Sequence, residues 1–402
     1  MKIDKSPQCV YDVVYRCLDT CIPLFLQKQV VLLHSFQAFL KRKNIVISAK
    51  RYGIDAMSAM AQGLFCSLLI GTIIDTIGTQ FQIPFLTQVV ATLGSGDHMI
   101  EYTVGGLAKA MSGPAMAVAI GYALQAPPLV LFSLATVGFA SNTLGGAGGP
   151  LAVLFVAIIA AEIGKAVSKE TKIDILVTPL VTIFVGVALS AWWAPAIGTA
   201  ANQVGILIKW ATELQPFWMG IIVSVVIGIA LTLPISSAAI CAALTLTGLA
   251  GGAAVAGCCA NMVGFAVLSF RENRWGGLVS QGIGTSMLQM PNIVKNPKIW
   301  LPAILTSAVT GPLATCVFHL EMNDPAGGLA SGMGTCGFVG QIGVYAGWVS
   351  DVAAGVKEAI TAFDWTGLIL ISFVLPAVLT WVFGLFFRKI GWIKEGDLTL
   401  PS

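Results

Sequence analysis

Apolar residues fill this chain in long blocks parted by short polar or proline-bearing breaks, and a helical block of about 20 such residues spans the hydrocarbon core of a bilayer. The first clear block is 57–77, followed by 104–122, 128–139, 151–163, 173–193, 194–210, 217–233, 235–268, 303–318 and 365–387. The block at 235–268 is long enough for a hairpin of two segments, and the glycine-rich stretch 327–347, with Thr335 and Gln341, reads as a re-entrant or tightly packed piece. The pattern predicts an all-α polytopic membrane protein with about ten transmembrane or re-entrant helices. Before these blocks the spacing changes. Val14, Leu18, Ile22, Leu26, Val30 and Leu33 recur every three or four positions and lead into Lys41-Arg42-Lys43, as in an amphipathic helix lying on the cytoplasmic membrane surface. The domain plan is then a basic arm over 1–51, a membrane domain over 52–390 and a short cytoplasmic tail over 391–402.

Composition narrows the class. The 402 residues are 56% hydrophobic and 10% charged, against about a quarter charged in soluble chains. The 44 glycines suit helices whose backbones touch, since lipid supplies no hydrophobic drive for their association. Nine lysines and arginines precede the first block (Lys2 to Arg51), and Arg388, Lys389 and Lys394 follow the last, so both termini are expected on the cytoplasmic side. The nine cysteines are scattered, only Cys258 and Cys259 being adjacent, with no metal spacing. Three widely separated histidines assemble no nucleophile, base and acid, so no catalytic residue, metal or cofactor is expected, and no nucleic-acid partner.

The candidate chemistry sits in the breaks. Pro291, Pro297 and Pro302 forbid an unbroken helix over 284–302, and non-helical backbone at membrane depth survives where it lines a cavity, often a transporter's binding site. Thr285, Ser286, Gln289, Asn292 and Asn296 are the neutral polar groups expected to hold a small polar solute there, with Lys295 as a group that would select an anion. Asn142 and Thr143, in the glycine-rich run 141–150, and Ser236 and Ser237, beside Pro234, are the candidate second contacts. Asp75 is an acid inside an apolar block and the candidate for proton coupling. Glu162 is expected to reach water beside Lys165, which with Lys169 and Lys172 forms a basic cytoplasmic loop. The order Asp97, His98, Glu101 reads as a solvated, helix-capping loop before it reads as a metal or proton relay.

At 284–302 the chain resembles the membrane IIC subunit of bacterial phosphotransferase-system sugar transporters, in their fructose-like pattern, with Gly284, Pro291, Asn296-Pro297 and Pro302 at matching intervals. The likeness extends over about 145–320 and is closest to the variant branch that includes perfringolysin-regulator-type proteins. It implies IIC-like transport and scaffold domains, alternating access, a homodimer and the bacterial inner membrane. Two departures stand out: the family's sugar-binding Glu is replaced by Met287, and its Asp-containing turn reads Leu231-Thr232-Leu233-Pro234. A thioether accepts hydroxyl protons only weakly. Phosphotransfer would then call for separate phosphoryl-carrier subunits, and the expectation is transport without phosphorylation, downhill or ion-coupled. The alternative is a membrane-bound regulator that keeps the fold and uses the basic arm as its output surface.

Overall fold

The structure, a computed structural model, describes residues 37–93, 99–323 and 329–400. The chain divides into two units, 1–47 and 48–402. Of the first, a short helical stretch over 37–42 is described; most of the amphipathic arm, like Asp97 and His98, lies outside the described residues. Everything below concerns the second unit.

Helix α1 (Arg51–Thr79) is antiparallel to the pair α2 (Val104–Ala110) and α3 (Ser112–Ala123), which bends by 49° between its members. Gly105 lies against Asp75, Gly63 lies against Ala115, and Arg51 donates to the Leu124 carbonyl at 2.6 Å. The two short strands β1 (Ala91–Leu93) and β2 (Ile100–Tyr102) form an antiparallel ribbon between α1 and α2. Next come α4 (Pro128–Gly145) and α5 (Gly149–Val167). Gly146, at φ +50°, adopts a backbone that other residues avoid and reverses the chain, so that Gly164 near the end of α5 meets Val130 near the start of α4. The continuous apolar run 128–167 is thus a helical hairpin.

Where the sequence suggests two helices over 173–210, the structure has one, α6 (Asp174–Thr212), of 39 residues or about 58 Å. Pro179 and Pro195 lie inside it without ending it. In apolar surroundings every freed carbonyl is expensive, so the rest of the helix holds. One side of α6 packs on the hairpin, with Thr182 at Gly164 and Gly186 at Val137, while Leu180, Phe184 and Trp192 face outward as a lipid-facing surface would.

A second bundle consists of α7 (Pro216–Thr232), the short α8 (Ser237–Ala243), α9 (Gly248–Leu268), α10 (Phe270–Val279), α11 (Met290–Lys295), α12 (Leu301–Pro312), α13 (Val339–Ala353) and α14 (Ala362–Lys389). The 235–268 block is indeed two segments, α8 and α9. Helix α9 is its axis: its face of small residues lets α7 approach until Gly257 touches the Ser224 carbonyl. Asn261 is fully buried there and fully engaged, donating to Ser307 at 3.2 Å and accepting from the Trp300 indole at 2.9 Å. Among the described residues six helical runs are long and apolar enough to cross a membrane, or seven with the bent α2–α3 pair; the hairpin in one run and the shorter apolar α7 bring the tally toward the expected ten.

The basic ends of these helices collect at one end of the molecule. Lys165 shares the Leu124 carbonyl with Arg51, α11 packs on the start of α1, and Arg388 of α14 pairs with Glu272 at 2.9 Å. The expected snorkelling of Glu162 and Lys165 does not occur. The Lys165 side chain is 1% exposed and its ammonium meets the Glu162 carboxylate at 2.8 Å, because the cation is needed inside, on the end of α3.

Candidate functional site

Four interruptions of helical structure converge on one cavity. They are the hairpin tip at 145–149, the α7–α8 break at 233–236, the stretch 284–287 and the turns before α13. The Ser236 amide donates to the Ala147 carbonyl at 2.9 Å, tying the first two together. About 790 Å³ of atom-free space lies within the cavity, counting the open solvent at its mouth. It lies between the apolar core of α1, α3, α4 and α5 and that of α7, α8 and α9. The middle of α1 completes the wall, with Leu64, Phe65 and Leu68 lining it. Wide π turns occupy Phe65–Leu69 and Ser280–Gly284 on either side, a local distortion that recurs at functional positions in membrane and soluble helices alike.

Polar groups enter singly. Thr285, in extended backbone at φ −157°, accepts from the Met287 amide at 3.2 Å, leaving its hydroxyl proton directed elsewhere. Asn142 donates to Ser112 at 3.3 Å. Ser236 caps α8 by accepting from Ala239 at 3.2 Å, and Ser237 donates to the Gly332 carbonyl at 2.8 Å. Met287, Leu231, Ile235 and Met333 supply most of the remaining wall, so every lining side chain is uncharged.

Of the sequence-based candidates, Thr285, Asn142, Ser236 and Ser237 are brought together at this cavity. The others are not. Ser286 is fully buried and bonds Thr232 at 2.8 Å, inside the packing of α7. Thr143 is exposed and bonds back to the Phe139 carbonyl at 2.8 Å. Gln289, Asn292 and Asn296 lie away from the cavity wall and are engaged with the C-terminal tail. Their amides donate to the Leu398, Thr399 and Trp392 carbonyls at 3.0, 2.8 and 2.9 Å, fastening the tail beneath the 284–302 stretch. Ile393 and Leu398 are buried in the same seat, so residues 392–400 are part of the packed fold. Lys295 is exposed at the end of α11 and is absent from the cavity wall. Asp75 stands outside as well, accepting from Thr103 at 2.8 Å and pairing with Lys109 at 2.5 Å. Two groups of lining residues were missed. Ser112 sits at the α2–α3 bend, which the Ser-Gly-Pro run 112–114 signals, and Met333 and Cys336 lie in the glycine-rich stretch read as re-entrant.

Among the described residues no three His, Cys, Asp or Glu side chains stand together as a metal site. The sequence model of the phosphotransferase system EIIC family matches residues 54–400. The chain belongs to this family. Neither a curated protein nor a solved structure matches it. As an EIIC protein it is a multi-pass membrane protein of the transporter type, and the matched range takes in every helix that lines the cavity and the tail that braces it.

Proposed function

We propose that this EIIC protein carries a small uncharged polar solute, a sugar or a relative of one, and that the solute binds in the cavity between Thr285, Asn142, Ser112 and Ser236. The observation that carries this reading is the convergence of four broken helical elements on one cavity halfway along a helix of spanning length. Broken segments leave backbone and hydroxyl groups that a solute can use in place of its hydration shell. Movement of one bundle relative to the other, opening the cavity to alternate sides, supplies transport. Whether separate phosphoryl-carrier subunits act on the solute follows from the product: phosphotransfer releases a phosphate ester, whereas uncoupled transport releases the solute unchanged. The Met287 thioether supports the second outcome, since it offers no base to a hydroxyl. The test is uptake into proteoliposomes. Thr285→Val and Asn142→Leu are each expected to raise the half-saturating solute concentration about three- to tenfold, the worth of one neutral hydrogen bond. Unchanged uptake in both variants removes the site.

A further inference from the structure

The wall of the cavity says what kind of solute fits it, given that the cavity is the transport site. We propose that the preferred solute is neutral and amphipathic: a mostly apolar body with two to four hydrogen-bonding groups along one edge, as in a deoxygenated or aryl-substituted sugar, and not a fully hydroxylated hexose or a sugar phosphate.

Charge selection comes first. A phosphate or carboxylate needs a cation within reach in a low-dielectric site, and no lysine or arginine lines this one. Lys109 is committed to Asp75, Lys165 to Glu162 and the Leu124 carbonyl, and Lys295 stands exposed. A solute cation fares no better, because the wall holds no carboxylate.

Hydrogen-bonding capacity comes second. Ser237 has spent its proton on Gly332, and one amide proton of Asn142 goes to Ser112. What remains for a ligand is the hydroxyl protons of Thr285, Ser236 and Ser112 and the other amide proton and oxygen of Asn142. These groups come from the 284–287 and 233–236 breaks, the last turn of α4 and the α2–α3 bend; Leu64, Phe65, Leu68 and Met287 are apolar members of the same lining. A hexose with five hydroxyls would press several of them onto apolar side chains, and each unmatched buried hydroxyl lowers affinity by roughly tenfold. The Phe65 ring in the lining gives an apolar or flat solute face a partner.

The experiment is a binding series on purified full-length protein in lipid nanodiscs, with titration of glucose, 2-deoxyglucose, 6-deoxyglucose, phenyl glucoside and glucose 6-phosphate. Affinity is expected to rise as hydroxyls are removed and to be highest for the phenyl glucoside, at least tenfold above glucose, with no binding of the phosphate. Met287→Gln, which places an amide on the apolar wall, is expected to narrow the gap between glucose and the phenyl glucoside without loss of folding, judged by gel-filtration profile. Tightest binding of glucose or of the phosphate, or failure of the whole series to bind, overturns the solute class. Binding of the phenyl glucoside that Thr285→Val and Asn142→Leu leave unchanged overturns instead the assignment of the cavity as the site.

Discussion

Thr285 and Asn296 are eleven positions apart in one irregular stretch, and both offered themselves as solute contacts, yet they face different surroundings. Thr285 opens on the cavity; Asn296 holds Trp392 and, at 2.8 Å, the Asp397 carboxylate. Asn296→Ala is therefore expected to lower the thermal unfolding midpoint, by the equivalent of roughly 1–3 kcal/mol for three lost bonds, one of them to a charge and one the cap on the Lys298 amide, while solute affinity stays put. An affinity loss matching that of Thr285→Val would return Asn296 to the site. Asp75 tests the same distinction for the acids. Its pair with Lys109 is partly exposed, with side chains 24% and 42% accessible, so Asp75→Asn is expected to cost at most about 1 kcal/mol and to leave solute binding unchanged. A tenfold weaker solute affinity in that variant would tie the acid to transport and revive proton coupling through it. Nothing in residue type separates these roles. An amide bonds a sugar hydroxyl or a backbone carbonyl equally well, and the carbonyls that claim Gln289, Asn292 and Asn296 come from residues about a hundred positions later in the chain.

Helices here are set by what lets them approach. Gly257 on α9 touches the Ser224 carbonyl of α7, and a backbone group cannot move aside without moving its helix. Gly257→Ala should thus destabilise the protein by about 2–3 kcal/mol, whereas Gly205→Ala on α6, whose added methyl would find Leu244 at an ordinary 3.6 Å, should be neutral or slightly stabilising. Equal midpoints for the two variants in a detergent melt would contradict the packing described. The tail is an element of the same kind. Removing residues 392–400 strips the burial of Ile393 and Leu398, worth roughly 3–6 kcal/mol together, and leaves the amides of Gln289 and Asn292 with only their bonds to Gln281 and Gln289. The truncated protein is expected to unfold at a distinctly lower temperature, and an unchanged midpoint would show the tail to be a passenger. The apolar blocks and the glycine-rich breaks were readable because lipid imposes length and backbone satisfaction on any span. The continuity of α6 through Pro195 was not, since proline's helix-ending habit is learned from water. Nor was the tail's docking, which depends on partners remote in sequence.

At the scale of the molecule, charge and cavity give two directions. Arg51, Lys165, Arg271, Lys298 and Arg388 gather at one end, joined through Leu124, Glu272 and the stacking of Lys298 on Trp392. The bias of lysine and arginine toward the cytoplasm predicts that this end, with the start of α1 and the finish of α14, faces inward. A cysteine introduced at position 394 should resist an impermeant thiol reagent in intact cells, and one at position 358, beyond Lys357 at the other end, should react; the reverse pattern would invert the molecule. The cavity lies between these ends, where the two apolar cores meet. Locating a bound solute tests that claim most directly. A structure determined in nanodiscs with the tightest-binding neutral sugar analogue is expected to show it within hydrogen-bond distance of Thr285 and Asn142, with its apolar face toward Phe65 and Met287. Solute density beside Gln289, Asn292 or Lys295, with the cavity empty, would contradict it.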